Sequence, residues 1–85
     1  MGDIAAAISS TEQDYHIDSK DALIQYNLAC YLALAGERSR ALSWLGRSLR
    51  LDPQLVNLIA EDEDFDSLRH DSGFQMIVTA VQGAV

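Results

Sequence analysis

Gly36 separates two stretches of helical periodicity and leaves only two or three residues of connection between them, so the chain has to reverse there. Before it, Ile24, Leu28, Tyr31, Leu32 and Ala35 recur at helical spacing. After it, Ala41, Trp44, Leu45, Ser48 and Leu49 do the same. Each half therefore predicts a helix with one buried stripe. Glycine closes the first by taking the left-handed conformation, and so short a connection folds the second back on it. Ala29 and Ala41 keep large side chains out of the contact, which predicts a close antiparallel approach.

The residues around this hairpin extend the pattern. Asp18 or Ser19 is expected to cap the first helix, with Asp21 in its first turn. Asp52-Pro53 ends the second helix and starts a third, because aspartate suits the cap and proline the first helical position. That short helix runs to about residue 60 and shows Leu55, Leu58 and Ile59. An acidic run then surrounds Phe65 and Leu68. Asp71 or Ser72 is expected to cap a final helix whose buried face is Phe74, Ile77, Val78 and Val81, with Gly83 at its end.

Composition bounds what such a chain can be. Eighty-five residues with 48% apolar content and one proline make one small folded domain that is mostly helix. Thirteen acidic residues against six basic ones give a formal charge of −7, which argues against nucleic acid as a partner. Cys30 has no second cysteine to pair with, which suits a reducing, cytoplasmic setting and a small buried side chain. The start of the chain shows no targeting pattern, and the longest apolar run, residues 28–35, is far short of the roughly twenty residues a membrane span needs. No membrane partner is expected.

Leu28, Ala41 and Pro53 match a tetratricopeptide repeat by identity and spacing, Ala29 and Leu45 stand for its glycine and phenylalanine, Leu32 for its tyrosine, and Gln25 replaces its tryptophan. The hairpin thus resembles one such repeat, a unit of about 34 residues. The segment with Phe65, Leu68-Arg69 and Phe74 is similar to the end of many bacterial tetratricopeptide proteins, where these residues plug the open end of the hairpin core. The resemblance implies an all-α fold: an N-terminal segment 1–18, partly ordered or covering the first helix, then a domain 19–85 with the hairpin at 19–51 and capping helices at 53–60 and 71–82. Such arrays usually need about three repeats, so a lone unit needs a cover. The final helix, the N-terminal segment, a second copy or the rest of a longer protein would each serve.

In this family the ligand lies against the first helix of each hairpin. The resemblance therefore implies a non-enzymatic interaction module, an adaptor that binds another protein or peptide through Leu23, Tyr26, Asn27, Cys30 and Leu34. Asn27 matches an asparagine that often holds a peptide backbone. Tyr26 and Cys30 stand where the carboxylate-binding versions have lysine and asparagine, so an apolar or amphipathic segment is the expected ligand. Alternatives for this strip are a homodimer, or Ile4, Ile8, Tyr15 and Ile17 folding back over it. The 9–13 run of poor helix formers predicts incomplete order there.

Other chemistry finds little support in the residues. Asp62, Asp64 and Asp66 have the spacing of a calcium loop's first ligands, but Ser67 and Gly73 stand where its glycine and closing glutamate belong. His16, His70 and Cys30 show no known metal or nucleophile spacing. No catalytic residue, metal or cofactor is expected. Arg40, Ser43, Arg47 and Arg50 form a polar stripe, expected to be a solvated face rather than an acidic-peptide or anion site. A third function class, an acidic surface for a basic partner or metal, would use residues 61–66.

Overall fold

The computed structural model describes residues 3–84 and is all-α, with no strand among the described residues. Its helices are α1 (Ile4–Ile17), α2 (Ala22–Leu34), α3 (Arg38–Leu51), α4 (Val56–Ile59) and α5 (Ser72–Ala84). Short 3-10 turns at Pro53–Leu55 and Glu63–Leu68 precede α4 and α5.

α2 and α3 form the expected hairpin. Gly36 has φ 79°, the Glu37 N–H donates to the Leu32 carbonyl at 2.9 Å, and the Gly36 N–H donates to that of Ala33 at 3.1 Å. Both bonds satisfy carbonyls that the end of α2 would otherwise orphan. Ala29 and Ala41 are fully buried between the two helices, and Ser48 is buried because its hydroxyl donates to the Leu45 carbonyl at 2.8 Å.

Three elements pack on α2: α1, α3 and the Glu63–Leu68 turn. The single buried stripe expected from periodicity is therefore too narrow. Gln25, Tyr26, Leu28, Ala29, Cys30, Leu32 and Ala33 are all buried, whereas Ala35 is exposed as the helix cap.

The N-terminal segment differs most from expectation. Helix α1 continues through residues 9–13 because tertiary contacts outweigh their weak propensity. Asp3 accepts a capping bond from the Ala6 N–H at 3.2 Å, the buried Thr11 hydroxyl donates to the Ala7 carbonyl at 2.8 Å, and Glu12 pairs with Arg40 at 3.3 Å. Tyr15 folds onto α3 rather than α2, edge-on to Trp44 at 4.7 Å, while Ile17 stays in solvent. Asp18 closes α1, its N–H donating to Asp14, so the cap of α2 falls to Asp21 instead, which accepts from the Leu23 and Ile24 N–H groups.

Downstream, Asp52 caps the Pro53 turn through the Gln54 N–H at 3.2 Å. Val56 and Ile59 enter the core; Leu58, expected there, is half exposed because this stretch is only one helical turn. Phe65, Leu68 and Phe74 are buried together at the end of the hairpin, with the Phe65 and Phe74 rings 5.7 Å apart. Asp71 caps α5 through the Phe74 N–H at 3.1 Å and also forms a two-point pair with Arg38 at the start of α3. That guanidinium holds the Asp71 carboxyl below its ordinary range, helped by the capping bond. Gly73 lets α5 approach α3: an added Cβ would lie 3.1 Å from Leu42. Gly83 lies within α5 rather than ending it.

Since nothing lies within 4 Å of a Cβ built at Gly36, Gly36→Ala should act through conformation alone. We expect a loss of about 1 kcal/mol in urea unfolding, with Gly36→Asn losing less because asparagine tolerates the left-handed region.

Candidate functional site

Tyr26 and Cys30 stand one turn apart on α2, and both point at the start of the acidic turn. Asp62 is the residue they meet. One carboxylate oxygen, Oδ1, accepts the Asp64 N–H at 3.0 Å and so caps the Glu63–Leu68 turn. The other, Oδ2, accepts the Tyr26 hydroxyl at 2.8 Å and lies 3.6 Å from the Cys30 thiol, which also donates to it. Arg69 closes the turn from behind: Nη2 donates to the Asp62 carbonyl at 2.6 Å, and Nε pairs with Asp66 at 3.2 Å. Phe65 then drops into the core edge-on to Tyr26, with ring centroids 5.6 Å apart.

The electrostatics follow from this seating. Burial first, and then the hydrogen bond to Asp62, push the Tyr26 phenol above its ordinary range. Burial raises the Cys30 thiol too, reinforced by the negative charges of Asp62 and Asp64. Asp64 is raised by partial burial and by repulsion from Asp62. Cys30 is therefore held as a neutral thiol, which lacks the thiolate character of a nucleophile. Ligand atoms of Cys30, Asp62 and Asp64 lie within 4.8 Å of one another, so these three residues, rather than Asp62, Asp64 and Asp66, are placed to share a cation. Asp66 is turned instead toward Arg69.

The five residues expected to bind a partner divide into two groups. Tyr26 and Cys30 are 3% and 4% exposed, beneath the acidic turn. Leu23, Asn27 and Leu34 lie exposed on the outer strip of α2, with the two leucines 51% and 49% accessible. The centre of the expected groove is thus filled by the chain's own Asp62 and Phe65, while Ile8 of α1 packs against the same core. The acids flanking a large apolar side chain are visible in the sequence; that they seat on α2 is a contact across 36 residues and leaves no local signal. His16 and His70 are both exposed, and no helix among the described residues is long and apolar enough to cross a membrane.

Models of protein families, curated proteins and solved structures provide no match to this chain.

The raised thiol and phenol fix the direction of a pH dependence. In the unfolded chain a thiol titrates near ~8.5 and a phenol near ~10. The folded state holds both protons longer, so this stabilisation is complete below about pH 8.5 and is lost as pH rises above it. The unfolding free energy from urea titrations should be level from about pH 7 to 8 and then fall, with a slope of up to about 1.4 kcal/mol per pH unit for each group. Cys30→Ala should remove the lower part of that fall.

Proposed function

We propose that this chain is a non-enzymatic protein-interaction module of the tetratricopeptide type, holding a short apolar or amphipathic segment of another protein against the outer strip of α2. The observation that carries this reading is a helix buried on almost every side that still leaves Leu23 and Leu34 half exposed, with Asn27 on the same strip. Apolar anchors at such intervals, on a backbone already held rigid by its neighbours, suit recognition of a helical segment. Asn27 supplies a polar group between them. Tyr26 and Cys30 support this strip from beneath: they seat the acidic turn that borders it.

The neutral thiol of Cys30 and the exposed positions of His16 and His70 favour binding over catalysis, and an unpaired cysteine suits a reducing, cytoplasmic setting.

A photo-crosslinking residue placed at Asn27 in the cells of origin tests this. A discrete crosslinked product is expected, and Leu34→Arg should weaken its formation about tenfold while leaving the helical circular dichroism unchanged. A product insensitive to both Leu34→Arg and Leu23→Arg, or none above background, would overturn the assignment. A product with the mass of two copies would replace the foreign partner with self-association.

A further inference from the structure

A second face of the molecule has the chemistry of a docking surface. Between α3 and α5 runs a groove of about 350 Å³ lined by Gly46, Leu49, Pro53, Ile77, Ala80 and Val81, with Arg50 at its edge. Arg50 also lines the adjoining depression, together with Arg47 and Tyr15. An apolar channel therefore meets a pair of guanidinium groups one helical turn apart.

Gly46 gives the channel an unexplained width. Glycine in the interior of a helix costs about 1 kcal/mol relative to alanine, and a Cβ built at Gly46 meets nothing within 4 Å. The chain's own packing thus gives no reason for glycine there. A close approach from outside would.

The charges say what approaches. Of the six basic residues, Arg38, Arg40 and Arg69 are paired with Asp71, with Glu12 and Glu37, and with Asp66. Lys20, Arg47 and Arg50 have no carboxylate partner among the described residues, in a chain with thirteen acids, and the two arginines are the ones beside this groove. Arg47 is instead held over the Trp44 ring, 4.4 Å from its centroid, and reaches the Tyr15 hydroxyl at 3.5 Å. Its guanidinium is fixed in place without being neutralised, which lowers the entropy lost on meeting a carboxylate. Two guanidinium groups without carboxylate partners beside an apolar channel suit an occupant that carries acids next to its apolar anchors.

We propose that the α3–α5 groove docks an amphipathic helical segment of a partner protein, with its apolar anchors over Pro53, Ile77 and Val81 and its acidic flank on Arg47 and Arg50. This rests on the reading of the chain as an interaction module but uses a face separate from the α2 strip. Its specificity is electrostatic at one edge and steric at Gly46.

Selection from a random library of helix-constrained peptides on the full chain, followed by amide chemical-shift mapping of the enriched peptides, tests the proposal. Enriched peptides should be acidic with apolar residues at helical spacing, and the shifts should centre on Gly46, Arg50, Ile77 and Ala80. Arg47→Glu with Arg50→Glu should weaken binding at least about tenfold, and Gly46→Leu should block it with helicity retained. Basic peptides, or binding insensitive to these variants, would overturn it, as would a concentration-dependent mass with the same shifts and no peptide. Peptides mapping to Leu23 and Leu34 would overturn this inference while leaving the α2 reading standing; no enrichment on any face would count against both.

Discussion

Helix α2 carries more apolar side chains than one neighbour can cover, and the rest of the molecule is arranged around that excess. A two-helix hairpin buries one side of each helix. Here α3 takes one side of α2, α1 another, and the acidic turn with Phe65 a third. Phe65 has no exposed surface, and truncating so large a buried side chain typically costs about 3–5 kcal/mol, a large part of the stability of a domain this small. The turn alone is too short to hold its shape. Asp62 and Arg69 give it one, and the hydrogen bond from Tyr26 fixes where it sits on the helix.

This arrangement explains what was legible in the residues and what was not. Gly36, Asp52-Pro53 and Asp71 act through bonds made within a few residues, so the helix boundaries they set are readable locally. Phe65 and Leu68 were readable as apolar anchors because polar residues flank them, and Phe74 because it recurs with Ile77, Val78 and Val81 at helical spacing. The continuity of α1 was not, since it depends on Glu12 finding Arg40 and Tyr15 finding Trp44, 28 and 29 positions away. The two-sided fate of the expected binding strip was hidden for the same reason. Tyr26 and Leu23 look equivalent on a helical projection, and only the long-range seat of Asp62 buries the one and leaves the other in solvent.

The functional reading follows from which surfaces the fold consumes. The acidic turn covers the centre of the α2 face, burying apolar surface that a two-helix hairpin would leave in solvent, and leaves the margin at Leu23, Asn27 and Leu34 exposed. Away from that strip, α3 carries Arg47 and Arg50 beside an apolar channel. Glu61, Glu63 and Asp66, in and just before the acidic turn, are exposed as well.

The seat of the acidic turn on α2 is the contact on which all of this depends, and a double-mutant cycle between Tyr26→Phe and Asp62→Ala measures it most directly. Urea unfolding of the wild type, both single variants and the double variant at neutral pH should yield a coupling of about 1–2 kcal/mol, with the double variant little worse than Asp62→Ala alone. Losses that simply add would mean that Tyr26 and Asp62 do not share a bond, and that the α2 face is open.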